Sequence, residues 1–211
     1  MFNNNLPPIS VEKNSEIFDI YKLFLVEAGV GLKEKKIADF GCAKGVFLHD
    51  LLETNACQGY DISEDAIYTC RKKFQESKML FNVLDLNKTS PAKEGKYDLI
   101  TLFDVIEHLN NFTHLKNIIQ DNLEIDGYIV ITTPNANSFM RILGSAEIFS
   151  GEADPTHTML FTPYTLDFFL RRCGLKKVTL FTPFIFYFKN NAITKRILLG
   201  GQIFALYKKA S

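Results

Sequence analysis

Short apolar runs alternate with stretches of helical period along the first two thirds of the chain. "KIADF" (36–40), "ACQGYDI" (56–62), "MLFNVLD" (79–85), "YDLITLF" (97–103) and "GYIVITTP" (127–134) are brief and mostly apolar, as expected of strands covered on both faces. Between them, "GVFLHDLLET" (45–54), "SEDAIYTCRKKFQ" (63–75) and "FTHLKNIIQDNL" (112–123) carry apolar positions at helical spacing. Val46, Phe47, Leu51 and Leu52 form the expected inner face of the first of these. Ser63 is the expected N-cap of the second, where Glu64 and Asp65 suit the positive end of the helix dipole. Upstream, "EIFDIYKLFLVEAG" puts Ile17, Ile20, Tyr21, Phe24 and Leu25 on one helical face, with Ser15 as the expected cap and Gly29 as the stop. The alternation predicts a parallel sheet with helices on both sides, an α/β fold.

The last third changes rhythm. "TPYTLDFFLRRCG" predicts a helix capped by Thr162, opened by Pro163 and closed by Gly174. "LKKVTLFT" and "QIFALYKK" follow as two strands expected to pair antiparallel at the sheet edge. A long aromatic-rich segment, 184–201, joins them. Residues 1–14, rich in Asn and Pro, are expected to be a loosely packed lead-in.

Composition narrows the function classes. The chain has 211 residues, 46% hydrophobic and 23% charged, which suits one globular domain. Its 24 basic and 24 acidic residues cancel, so the basic surface that nucleic-acid binding draws on is missing from the overall balance. The cysteines, Cys42, Cys57, Cys70 and Cys173, form no CxxC pair, which argues against structural zinc and for free thiols. The N-terminus lacks the pattern of a secretory signal. The longest apolar run, "VTLFTPFIFYF", is 11 residues with a proline inside, well short of the roughly 20 that span a bilayer. A cytoplasmic protein without a membrane span is expected.

The candidate chemistry starts at "DFGCAKG", residues 39–45, directly after the first predicted strand. It lacks the GxxxxGK[ST] of a phosphate loop. It also matches GxGxxG poorly, because Ala43 and Val46 stand where glycines belong. Asp61, 20 positions after Gly41, ends the second strand, where an acid accepts from both ribose hydroxyls. Asp85 ends the third predicted strand, placed to accept from an exocyclic adenine amine. Asp98 and Asp104 bracket the fourth. Carboxylates in this register favour a ligand with ribose hydroxyls and ammonium groups, and repel phosphates.

At these residues the chain resembles the class I S-adenosylmethionine-dependent methyltransferases, in particular the small-molecule branch that includes ubiquinone-biosynthesis-type O-methyltransferases. The matching stretches are "IADFGCAKGVFL", "GYDIS", "NVLDLN", "YDLITLFDVIEHLNN" and "PTHTMLFTPYTLDFFLRRCGL", over roughly residues 35–210. The resemblance implies a Rossmann-like, doubly wound, seven-stranded and mostly parallel sheet with one antiparallel strand, plus an extra N-terminal helix. It divides a single domain, 1–211, into an N-terminal helical lid (1–34), a cofactor-binding core (35–134), an acceptor-side loop (135–163) and a C-terminal helix and hairpin (164–211) with its aromatic insertion (184–201). It implies S-adenosylmethionine as cofactor and S-adenosylhomocysteine as product. Asp39, Gly41, Ala43 and Gly45 carry over as contacts to the methionine side. Asp61 with Ile62 carries over for the ribose, Asp85 with the Leu86 backbone for adenine, and Phe103 for the vicinity of the donor sulfur. Ala43 replaces the family's middle glycine, and is expected to be tolerated with a negative φ.

Transfer of a methyl to a hydroxyl benefits from a general base, and histidine suits neutral pH. His157, in "SGEADPTHTMLFTP", and His108, after Glu107, are the catalytic candidates; His49 and His114 are read as surface or boundary residues. Asp104, Glu107 and His108 have the acid-x-x-Glu-His spacing that the resemblance links to magnesium. Mg²⁺ prefers oxygen ligands, and the segment also occurs in relatives without metal, so a metal is not expected. The expected partner is a small-molecule acceptor, methylated on a hydroxyl, with no nucleic acid and with a monomer or homodimer as the assembly. The alternatives are a catalytically silent cofactor-binding relative that acts through a partner and a small-molecule N-methyltransferase. A nucleic-acid amino methyltransferase would carry Asn/Asp-Pro-Pro-Tyr/Phe where this chain has "FDVIEH". A nicotinamide oxidoreductase would leave Asp85 unexplained.

Overall fold

Seven strands form one sheet in the order β3-β2-β1-β4-β5-β7-β6. The computed structural model describes residues 11–75, 77, 80–91, 95–142, 154–182 and 199–210. The strands are β1 (Lys36–Phe40), β2 (Ala56–Asp61), β3 (Leu80–Val83), β4 (Tyr97–Phe103), β5 (Leu123–Pro134), β6 (Leu175–Phe181) and β7 (Gln202–Lys209). β7 runs antiparallel to both β5 and β6, and the other neighbours pair parallel. The fold class expected from the resemblance is therefore the observed one, including the single antiparallel strand.

Side chains of the central strands alternate between two cores. Ala38, Phe40, Ile100, Leu102, Ile129 and Ile131 enter one cluster; Ile37, Leu99, Phe103 and Val130 enter the other. Both faces need covering, which is why these strands read as continuous apolar runs. Helix α1 (Val11–Glu27), α2 (Val46–His49) and α3 (Glu64–Lys73) cover one face through Tyr21, Leu25, Phe47, Leu48, Ile67 and Cys70. On the other face lie α4 (Thr113–Asn117), the π-helical turn Ile118–Asn122 and, beyond the short α5 (Phe139–Ile142), α6 (Pro163–Arg172). Thr162 and Thr165 close a reciprocal capping box at the start of α6, with Pro163 at its first turn.

Several local expectations differ from the structure. The helix predicted over 112–123 is α-helical only over Thr113–Asn117 and π-helical over Ile118–Asn122, and β5 already begins at Leu123. Helix α1 begins at Val11, so Ser15 lies inside it and is not its cap. The helix predicted over 45–54 keeps only Val46–His49 as α-helix, and its buried residues include Leu48 while Leu52 is only partly buried. Strand β3 stops at Val83, so Asp85 sits in the turn beyond it. Asp98 is the second residue of β4, at the amino end of the sheet, where its carboxylate accepts from the Lys36 backbone N–H at 2.8 Å; it is not a rim residue. Residues 1–10, the middle of the acceptor-side loop (143–153) and the aromatic insertion over 184–198 lie outside the described residues.

The sheet order reverses between β1 and β4. At such a switch point the connections leave in opposite directions and open a crevice at the carboxyl ends of the strands.

Candidate active site

The turn after β1 is built to lie flat against that crevice. Gly41 and Cys42 donate backbone N–H bonds to the Tyr60 carbonyl at 2.7 and 3.0 Å, and Gly45 donates to the Cys42 carbonyl at 2.8 Å. Gly41 has φ of 78°, and a Cβ there would stand 2.3 Å from Val105 Cγ2. Gly45, at φ 69°, would meet the Phe74 ring at 2.9 Å. Both positions thus need glycine for conformation and for space. Ala43 overturns one expectation: its φ is 44°, in the left-handed region, where a Cβ is strained by about 1–2 kcal/mol.

Asp61 holds that strained turn. Its Oδ2 accepts the Ala43 backbone N–H at 2.8 Å and its Oδ1 accepts Ser63 N–H at 2.8 Å, while Ser63 also caps α3 as expected. The ribose candidate is therefore also a clamp between the turn and α3, a role its position in the sequence does not show. A carboxylate has about four acceptor sites, so two remain for a ligand. Asp39 is buried and accepts the Thr101 hydroxyl at 2.6 Å; burial pushes its carboxyl up to about 7. Asp85 accepts Asn87 N–H at 2.9 Å and lies 3.0 Å from Lys88 Nζ, contacts that hold its carboxyl below the usual range.

A cavity of about 490 Å³ opens along this rim, lined by Gly41, Asp61, Ile62, Asp85, Leu86, Asp104 and His108 among others. Asp39, Ala43, Gly45 and Phe103, the other expected cofactor contacts, are not among its lining residues. Phe103 stacks on Tyr21 with ring centroids 4.9 Å apart. The cavity suits a nucleoside: carboxylates stand at and just beyond the ends of successive strands, with apolar walls from Ile62 and Leu86.

Beyond β4 the site is assembled from distant segments. Glu107, in the turn Ile106–His108, is 1% exposed; its Oε2 accepts the Thr133 hydroxyl at 2.9 Å, while Oε1 is buried without a hydrogen-bond partner. Burial, with nearby Asp104 adding to it, pushes the Glu107 carboxyl up to about 8. Asp104 opens onto the cavity, yet the protein packed around it still raises its carboxyl above the ordinary range. The Glu107 carbonyl accepts the backbone N–H groups of Thr158 and Met159, which pins the loop around residues 154–159 against this turn.

That loop brings His157 to His108, with ring centroids 4.7 Å apart. His108 Nδ1 lies 3.0 Å from the Thr156 hydroxyl, which donates to Asp154 Oδ1 at 2.6 Å. Asp154 Oδ2 is 3.8 Å from His157 Nε2. Assigning the Nδ1 proton of His108 to the bond with Thr156 leaves its Nε2 lone pair available to accept a proton. Asp154 escaped the sequence reading. Its only signal is the Asx turn in "DPTH", where its carboxylate also accepts Thr156 N–H at 2.8 Å. His49 and His114 lie elsewhere, His49 beside Asp50 and His114 on α4.

Glu107, His108 and His157 offer ligand atoms within 4.8 Å of one another. Asp104, the first acid of the expected metal spacing, is not in this group; its Oδ1 is bonded to Gln202 and Thr132. Among the described residues no helix is long and apolar enough to cross a membrane.

A family model described as "Methyltransferase domain" matches residues 13–180. A ubiquinone biosynthesis O-methyltransferase from Cupriavidus pinatubonensis is 24% identical over 180 residues, covering 79% of this chain and 72% of that protein. Among solved structures, an S-adenosylmethionine-dependent methyltransferase from Archaeoglobus fulgidus superposes with a TM-score of 0.63 at 24% identity, covering 91% of this chain and 94% of that one. Magnesium protoporphyrin IX methyltransferase from Synechocystis, solved with S-adenosylhomocysteine bound, gives 0.66 at 16% identity, covering 99% and 90%.

Proposed function

The chain belongs to the methyltransferase domain family and is an S-adenosylmethionine-dependent enzyme, and from that premise we propose that it methylates a hydroxyl of a small-molecule acceptor. When bound, the cofactor supplies a methyl group on a sulfonium. The rest is the work of the chain. Asp61 and Asp85 accept from the nucleoside, Ile62 and Leu86 pack beside it, and the turn 41–45, with Asp39 beneath it, receives the methionine side. One imidazole of the pair, His157 or His108, would take the acceptor's single hydroxyl proton as the O–C bond forms and the methyl–sulfur bond breaks, with S-adenosylhomocysteine as the product and Asp154 orienting both rings, directly and through Thr156.

The observation that carries this reading is the linked set Asp154, Thr156, His108 and His157 at the edge of the acid-lined cavity. An O-methyltransferase among the relatives supports a hydroxyl acceptor. The free thiols of Cys42, Cys57, Cys70 and Cys173 support a cytoplasmic setting. Methyl transfer from labelled S-adenosylmethionine to a panel of phenols, catechols and amines tests the proposal. Label in the hydroxyl acceptors is expected; label in amines alone overturns O-methylation. Cofactor binding with no transfer across the panel favours the silent relative.

A second reading rests on the orphaned Oε1 of Glu107. That atom, with the two imidazoles, suits a divalent cation that accepts mixed oxygen and nitrogen ligands. Glu107, His108 and His157 would hold it, and it would lower the pKa of the acceptor hydroxyl. A rise in unfolding temperature with Mg²⁺, Mn²⁺ or Zn²⁺ that is lost in Glu107→Gln is the expected sign. No shift with any of them removes this reading.

A further inference from the structure

Asp104 is held more tightly than a rim carboxylate requires. It follows β4 at the switch point with φ of 53° and lines the same cavity as Asp61 and Asp85. Its side-chain bonds fall on one oxygen: Oδ1 accepts from Gln202 Nε2 at 2.6 Å and from the Thr132 hydroxyl at 3.1 Å. Gln202 is held in turn, because its Oε1 accepts the Tyr21 hydroxyl at 2.7 Å. Tyr21 comes from α1, is 2% exposed, and stacks on Phe103, the residue before Asp104.

The direction of these bonds matters. A phenol donates to the amide carbonyl, so the amide NH₂ points to the carboxylate. With the amide flipped, its carbonyl would face the Asp104 carboxylate, oxygen against oxygen. The carboxylate, which can only accept, therefore selects the amide orientation; the Tyr21 hydroxyl, donating to the amide carbonyl, anchors the amide there, and the amide holds Oδ1. The ring alone meets the packing need, since phenylalanine would fill the same space; the hydroxyl adds only the relay. A ligand whose nucleoside lies on Asp61, at the end of β2, and Asp85, in the turn beyond β3, would extend its far end toward the β1–β4 crevice and Asp104. For S-adenosylmethionine that far end carries the ammonium of the methionine.

We propose that Tyr21 and Gln202 are positioning residues that fix Asp104 so that its Oδ2 receives the ammonium group of the cofactor's methionine end. The inference rests on the cofactor reading given above. It makes α1 a part of the cofactor site, tied to the start of β7.

Calorimetry with two ligands tests it: S-adenosylhomocysteine, and 5′-methylthioadenosine, which keeps the nucleoside and thioether but lacks the amino-acid end. Tyr21→Phe and Gln202→Leu are expected to weaken S-adenosylhomocysteine roughly five- to tenfold and to leave methylthioadenosine unchanged. Asp104→Asn, which tolerates the positive φ, is expected to lose at least as much for the first ligand only. Equal weakening of both ligands, or of neither, overturns the inference, because a merely structural tyrosine would not discriminate between them. Gln202→Leu and Asp104→Asn carry the test if Tyr21→Phe does not fold. Wild-type protein that binds no S-adenosylhomocysteine overturns the cofactor reading and the inference together. Wild-type binding with an unchanged Tyr21→Phe overturns the inference alone.

Discussion

The two halves of the rim are built differently. On the β1–β3 side, each functional residue sits in or just after the end of its own strand, and, apart from Asp39 with Thr101 of β4, its partners lie within 18 residues. Asp61 bonds to residues 43 and 63, and Asp85 to residues 87 and 88. Beyond β4, partners lie far apart. Glu107 meets Thr133, His108 meets Thr156, and Tyr21 reaches Asp104 through Gln202, 181 residues away. The near side depends on strand geometry; the far side depends on loops and helices docking correctly. On the proposed reading, nucleoside binding belongs to the first and proton removal to the second, so mutations should separate those two.

The largest separation is expected at His157. His157→Ala should lower turnover by about 10²–10⁴-fold, with S-adenosylhomocysteine affinity little changed, in steady-state assays paired with calorimetry. A parallel loss of affinity would merge the two halves. Asp61→Ala should do the opposite. Losing two charge-assisted hydrogen bonds, each worth about 1.5–3 kcal/mol, should weaken S-adenosylhomocysteine roughly a hundredfold or more. It should also lower the unfolding temperature, because the Ala43 and Ser63 amides lose their acceptor. Unchanged affinity would move the ribose elsewhere.

Each half also buries one acid, Asp39 on the near side and Glu107 on the far side, pushed up to about 7 and about 8 from ordinary values of 3.8 and 4.5. A folded-state pKa above the unfolded one means that the folded protein binds more protons in between. Stability should therefore fall as pH rises from about 4 through 8 and level off above. Urea unfolding across this range should show the fall. Asp39→Asn, which keeps an acceptor for Thr101, should flatten the part that ends near 7, and Glu107→Gln the part that ends near 8. A flat wild-type profile would mean that neither acid is desolvated as the structure places it. The smallest effect is at Ala43. Ala43→Gly should relieve a strain of about 1 kcal/mol, raising the unfolding temperature slightly and tightening S-adenosylhomocysteine a few-fold. A loss on both counts would show that the strained turn is better held with a Cβ.

This difference in construction also decided what could be read in advance. Strands β1, β4 and β7 were legible to the residue, because burial on both faces leaves an unbroken apolar run. Asp61 was legible because a strand end fixes where its side chain stands. Its second task, clamping the turn, was not, since that depends on the positive φ at Ala43. Ser15 looked like a cap only because what precedes it carries no apolar face; the helix starts earlier, at Val11. The Tyr21–Gln202–Asp104 relay had no local signal at all, and Asp154 had only the Asx turn in "DPTH". They exist only after the 154–159 loop packs on Glu107 and α1 packs on Phe103.

The central claim is that the acid-lined cavity beside the 41–45 turn holds S-adenosylmethionine. Titrating the wild-type protein with S-adenosylhomocysteine and, separately, with NAD tests it most directly. Saturable heat with S-adenosylhomocysteine at one site per chain, and none with NAD, is the predicted result. NAD binding in the absence of any S-adenosylhomocysteine heat would contradict it.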